Sequence, residues 1–199
     1  ACIGQSFSVE DLSTVCGLPE REINRRLITA VAQEAVYPIE KDGKIGLQTM
    51  YQFAHDRFQQ VFYTTLSEKT RASVHYLLGK RYEEYSRAAG VLDERAFEIA
   101  DHYAMGLGEA EDQEERRRIQ EFLLGTAHRC GLVSAFDTAE RYLNLLLSQP
   151  ELKRPENRPF LTKVYMEYHT ALCNLVKEEE CDRIYGMLCN LVTEPTELV

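Results

Sequence analysis

The residues of this 199-residue chain that could do chemistry are few and scattered. His55, His75, His102, His128 and His169 fall in five different predicted elements, so no two histidines are offered together as ligands or as an acid–base pair. His55-Asp56 has the form of a base beside its orienting carboxylate, but no serine lies in Gly-x-Ser-x-Gly and no other nucleophile accompanies it. Cys173, Cys181 and Cys189 recur every 8 residues. That spacing puts successive thiols about 80° apart around a continuous helix, and a predicted break near Lys177 separates the first from the other two. Zinc sites favour closer cysteine pairs, so these residues read as helix-packing cysteines and no metal site is expected. Gly79-Lys80-Arg81 lies inside a predicted helix with no strand before it and is no phosphate loop. Gly106-Leu107-Gly108 lacks the strand and third glycine of a dinucleotide fold and reads as a helix end. No catalytic residue, cofactor or metal ligand is thereby assigned, and the chain is not expected to be an enzyme.

The elements that would carry these residues are mainly helical. Ser8 followed by Asp11 is a capping-box pattern, which predicts a short helix to about Cys16 that stops at Gly17. Pro19 suits the first position of a second helix, with Ile23, Leu27, Ala30 and Val31 on its apolar side and Arg21, Arg25 and Thr29 opposite. From Val36 to Ile39 the composition is β-prone, and Asp42-Gly43 is a hairpin-turn signal. Ile45 to Leu47 and Met50 to Ala54 supply the returning strand. After His55 the pattern is helix upon helix. One helix runs from Asp56 to about Leu66, and Ser67 caps another that buries Val74, Leu77, Leu78, Tyr82 and Tyr85. Asp93 caps a third, containing Phe97, Ile99 and Tyr103. Two helical hairpins follow, Glu111 to Cys130 with Ser134 to Ser148, and Arg158 to Val176 with Glu178 to Leu191. Gly131 is expected as a C-terminal cap, and the stretch from Pro150 to Pro159 as the longest linker. The second helices of the two hairpins match at an offset of 42 residues, Ala139, Leu143 and Leu146 against Cys181, Tyr185 and Leu188.

Composition narrows the class further. With 44% hydrophobic and 28% charged residues the chain is ordinary for a folded protein. The longest apolar run, Tyr142 to Leu147, is far short of a membrane helix, and a cytoplasmic location is expected, with six cysteines as free, mostly buried thiols. Residues 1–89 balance 11 basic against 11 acidic residues, so residues 90–199 carry the whole net charge of -9. An acidic second half disfavours nucleic acid as its ligand.

The segment from Tyr51 to Tyr63 resembles the Phe-x-His-Asp-Arg-x-Gln-Gln-x-x-Tyr stretch of the STAND class of multidomain signal-transduction ATPases. Ala1-Cys-Ile-Gly, Phe7, His75 with Leu78-Gly79-Lys80, the stretch from Phe97 to His102 and the helix from Ala139 to Leu147 agree with it, densely to about residue 105 and thinly afterwards. The resemblance implies a winged helix and tetratricopeptide-like repeats, placed after a nucleotide-binding domain and often before a histidine kinase, Ser/Thr kinase or cyclase. On this basis residues 1–66 are expected to form a winged-helix-like domain with a β-hairpin wing, its first helix mostly upstream. Residues 67–110 would be connecting helices, and residues 111–199 antiparallel helical pairs of tetratricopeptide-like type.

Within that frame His55, Asp56, Arg57 and Gln60 are either a capped helix start latching wing to helix or a contact that senses nucleotide state in the neighbouring domain. Tyr165, Tyr168, His169 and Tyr185 are the candidate partner surface on the repeats. The expected role is a non-catalytic regulatory and interaction module whose partners are the adjacent nucleotide-binding domain and a protein or effector on the repeats. The alternative is a transcription regulator in which Arg21, Arg25 and Arg26 reach DNA. Glu20, Glu22 and Glu34 on the same helix, and Glu40 and Asp42 beside the wing, weigh against it.

Overall fold

The computed structural model describes residues 1–39 and 50–191, and the expected turn at Asp42-Gly43, the strand Ile45 to Leu47 and the acids Glu40 and Asp42 lie outside them. The chain is mainly helical, with a small three-stranded antiparallel sheet, and divides into two compact units, Ala1–Ala110 and Glu111–Val199.

In the first unit, β1 (Ser6–Ser8) leads into α1 (Val9–Cys16). Both halves of the capping box are made: Ser8 Oγ accepts from the Asp11 amide at 3.0 Å, and the Asp11 carboxylate accepts from the Ser8 amide at 3.2 Å. The helix ends where Gly17 turns left-handed. Helix α2 (Glu20–Ala32) begins one residue after Pro19, which takes the cap position instead of the first helical one. Strands β2 (Val36–Ile39) and β3 (Met50–Phe53) complete the sheet in the order β1-β3-β2. The short β1, pairing Phe7 with Tyr51, was not anticipated, because three residues are too few to show alternation. Phe7, Val9, Ile23, Leu27, Val36 and Phe53 form one core that ties both helices to all three strands.

Three helices complete the unit: α3 (Asp56–Thr65), α4 (Glu68–Ala89) and α5 (Ala96–Gly106). Ser67 caps α4 as expected, accepting from the Thr70 amide at 3.1 Å, and Gly90 closes it in the left-handed conformation. The buried face of α4 agrees with the expected one at Leu78 and Tyr82 and departs from it at Leu77, Tyr85 and Val74. His75, Leu78, Gly79, Tyr82, Glu83 and Ser86 face inward, while Leu77 and Tyr85 face solvent and Val74 is half-buried. These six positions follow a helical stripe, but His75, Glu83 and Ser86 are polar, so an apolar template finds Leu78 and Tyr82 and misses the rest of the face. Asp93 does not cap α5; Arg95 occupies the cap position and no side chain caps the helix. Phe97 is exposed at the margin, whereas Ile99 and Tyr103 are fully buried. At Gly106 the backbone of α4 passes so close that a Cβ would lie 2.5 Å from the Tyr76 amide nitrogen. Only glycine lets α5 approach α4 there.

Among the described residues the second unit has four α-helices in sequence-adjacent pairs: α6 (Gln113–Leu132), α7 (Phe136–Leu147), α8 (Arg158–Asn174) and α9 (Glu178–Leu191). Each packs on the next. Gly131 is not a cap. Helix α6 continues through it to Leu132, and Ser134 takes the left-handed turn instead. The linker is two short 3-10 turns whose Leu152 is buried. The 42-residue correspondence holds for Ala139 with Cys181 and Leu146 with Leu188, all buried. Its middle member differs, because Tyr142 and Ile184 are the buried counterparts and Tyr185 points outward.

Candidate functional site

The motif residues gather at the start of α3. His55 caps the helix through its backbone only, with no side-chain cap bond, and His55, Asp56, Arg57 and Gln60 are all exposed. The expected imidazole or carboxylate cap is therefore absent, since at this junction the side chains point to solvent. The hydrogen bond anchoring α3 comes instead from Gln59, whose Nε2 donates to the Ala1 carbonyl at 2.9 Å. The sequence placed the latch one residue away; one position on a helix turns the side chain by about 100°.

Helix α3 buries none of its residues fully. It touches the sheet through Phe53 and Phe62, whose ring centroids lie 6.0 Å apart. It touches α4 through Tyr63, whose hydroxyl is 3.2 Å from His75 Nε2 and whose ring carries the Arg71 guanidinium at 5.1 Å. Phe58, Val61 and Phe62 nevertheless stay 39%, 56% and 47% exposed. Spaced three and four residues apart, they make one continuous apolar strip beside the exposed His55 and Asp56. Single surface apolar residues need no explanation, whereas these three are neighbours on one face of one helix.

Behind α3 lies a polar interior. His75 and His102 meet Nδ1 to Nδ1 at 2.8 Å, one ring donating and the other accepting. Burial lowers both rings to about 4, helped at His75 by its neighbour His102 and opposed at His102 by Asp101. Tyr103 donates to the buried Glu83, whose other oxygen accepts from Arg87 Nε at 3.0 Å and Nη2 at 2.7 Å. A cleft of about 460 Å³ opens onto the histidine pair past Cys2, Glu98, Asp101 and Met105. The pair escaped the sequence reading because its members are 27 residues apart on two helices. The polar stripe on α4 was the available signal.

Arg21, Arg25 and Arg26 are exposed on α2, but two of them are already engaged. Glu22 accepts from Arg25 Nη2 at 2.9 Å and Arg26 Nε at 3.0 Å, bonds that hold its carboxyl below the usual range. On the second unit the four expected surface residues separate. Tyr168 is core, 2% exposed, its hydroxyl donating to Glu180 at 3.0 Å and its pKa pushed up to about 12 by burial and that bond. Tyr165 and His169 are half-buried, and Tyr185 is 53% exposed with its ring 5.8 Å from that of His169. A cavity of about 740 Å³ lies between α6 and the linker. Of the four arginines that line it, Arg116 faces Glu151 at 3.6 Å and Arg117 faces Glu121 at 2.9 Å.

The cysteines depart from the expectation of free, mostly buried thiols. Cys173 and Cys181 form a disulfide between the end of α8 and the start of α9, and of the remaining four Cys16 and Cys189 are exposed while Cys2 and Cys130 are buried. No helix among the described residues is long and apolar enough to cross a membrane. Compared with known proteins, the chain matches no family model, no curated protein and no solved structure.

Proposed function

We propose that the chain is a non-catalytic regulatory and interaction module of a larger signalling ATPase, docking on its nucleotide-binding domain through α3. The observation that carries this is the uncovered strip of Phe58, Val61 and Phe62 on the same helix as the motif residues His55, Asp56 and Arg57. A helix without a buried residue gains little from its own unit. A second folded surface covering the strip would remove it from water, and the exposed His55, Asp56 and Arg57 would supply polar contacts at its rim. The sheet order β1-β3-β2 around α1 and α2 supports a winged-helix reading of residues 1–66. The successive pairs α6–α7 and α8–α9 support a tetratricopeptide-like reading of residues 111–199, with a protein or effector as their partner. DNA reading by α2 has less support, because Glu22 pairs with both Arg25 and Arg26 and offsets part of the positive charge that would have to meet phosphates.

The test is binding to the nucleotide-binding domain of the parent polypeptide, loaded with ATP or with ADP. Affinity that differs between the two forms, and that Val61→Asp lowers at least about 10-fold without changing the melt, is expected. No association with either form sinks the proposal. Salt-dependent DNA binding lost in the triple Arg21→Ala, Arg25→Ala, Arg26→Ala variant would move the assignment to the alternative.

A further inference from the structure

The turn between α8 and α9 brings together three soft donors that the sequence reading had kept apart. His169 and Cys173 are four residues apart on α8 and therefore share a face one turn apart. The chain then reverses within a few residues. Val176 adopts a positive φ of 58°, the Lys177 amide donates to the Leu172 carbonyl at 3.1 Å, and α9 starts at Glu178. The reversal places Cys181, in the first turns of α9, with its Cα 6.0 Å from that of Cys173. The ring nitrogens of His169 lie 3.7 and 3.9 Å from Cys173 Sγ, and one donor atom from each of the three residues falls within 4.8 Å of the others.

We propose that the reduced form of this site binds one Zn²⁺ through His169, Cys173 and Cys181, and that the disulfide is its oxidised, metal-free form. With zinc about 2.3 Å from sulfur and about 2.0–2.1 Å from nitrogen, two ligands of a tetrahedral ion stand roughly 3.6 Å apart. That is close to the His169–Cys173 separation already present. Two thiolates and an imidazole select zinc over magnesium or calcium, which take oxygen donors. Three protein ligands leave a fourth position, and exposed Cys173 lets water fill it. Lys177 does not occupy the site, because its ammonium is held by Glu140 at 2.6 Å.

Oxidation and metal binding exclude each other, since the same two sulfurs serve both. A small-molecule disulfide oxidant takes the two electrons. Its S–S bond breaks, the Cys173–Cys181 bond forms, two Zn–S bonds break, and two protons from solvent complete the two oxidant-derived thiols. Zinc leaves unchanged, as a divalent ion without redox chemistry. Either linkage joins the last turn of α8 to the start of α9, so the hairpin stays closed in both states while its surface gains or loses a metal.

The experiment uses the full chain, reduced with a phosphine and titrated with Zn²⁺ against a chromophoric chelator. One tightly bound Zn²⁺ per chain is expected, falling at least about 10-fold in affinity in His169→Ala and in Cys173→Ser. Exposed Cys16→Ser and Cys189→Ser should bind as the parent does. Treatment with the disulfide oxidant should release one Zn²⁺ for each two thiols lost. Because Cys173 is exposed and His169 half-buried, both variants should keep their helical circular dichroism. Co²⁺ provides a second measurement: sulfur-to-cobalt charge-transfer absorption should appear in the parent and diminish in Cys173→Ser. A reduced parent that binds Zn²⁺ no better than these two variants, or an oxidised chain that retains the metal, overturns the proposal.

Discussion

The two units solve the problem of a helical interior differently. Between α4 and α5 the first unit buries two histidines, a glutamate and a serine among its apolar residues, and satisfies three of the four within the unit, through the His75–His102 bond and the bonds to Glu83. The Ser86 hydroxyl has no hydrogen-bond partner. The second unit fills the space between its helices mainly with Ile119, Leu123, Tyr142, Leu143, Leu146, Val164 and Leu172, all fully buried; its buried polar residues Gln120, Thr126 and Thr162 are uncharged and each bonded to a neighbour, and a disulfide ties α8 to α9. Polar interiors demand particular partners in particular places, whereas apolar interiors demand mainly volume. The first unit should therefore respond to pH and to conservative changes of polar groups. The second should respond to cavities and to reduction.

The sharpest test of that contrast is a cavity in the second unit. Leu143→Ala should cost about 3–4 kcal/mol in urea unfolding, because a fully buried leucine leaves a void its neighbours fill only in part. A cost below about 1 kcal/mol would mean the pairs are loosely packed and the comparison fails. Next in size is the pH response of the first unit. Both histidines titrate at about 4 in the fold, below the ordinary 6.5, so the unfolded chain takes up protons first. Their stabilising contribution is complete above about pH 6.5 and is lost as pH falls from there towards 4, on the order of 3 kcal/mol for the pair after solvent screening at the cleft. The double variant His75→Phe, His102→Leu should flatten this dependence. An unchanged slope would assign the acid sensitivity elsewhere.

Smaller effects refine the picture. Gly106→Ala should cost about 2 kcal/mol, because the new methyl meets the α4 backbone, which cannot rotate away as a side chain can. A neutral result would show that α5 slides freely on α4. Ser8→Ala should cost about 1 kcal/mol by removing the acceptor for the Asp11 amide. A thermal melt suffices to measure it, and no change would mean that Asp11 alone holds the start of α1.

Much of the fold was legible residue by residue. The capping box at Ser8, the cap at Ser67, the helix end at Gly17, and the four helices described in the second unit appear in the chain order as local patterns, because caps and 3.6-residue periodicity are properties of neighbouring residues. The candidate sites were much less legible. Gln59 instead of Gln60, the burial of Tyr168 and the exposure of Tyr185 turn on one helical step, which sequence periodicity does not resolve. The exposed strip on α3 is an apolar pattern in the sequence, but amphipathicity says that a face is apolar and not whether anything covers it.

By itself, the sequence determined which segments are helical, where most of them start and stop, and that the acid excess lies in the second half. Tertiary structure alone decided that α4 turns His75, Glu83 and Ser86 inward, that His75 meets His102, and that Cys173 and Cys181 bond across a helical reversal. The physical reason is range. Propensities and caps act over one or two turns, while the partner of a buried imidazole or thiol is chosen by how whole helices pack, through contacts between residues far apart in the chain.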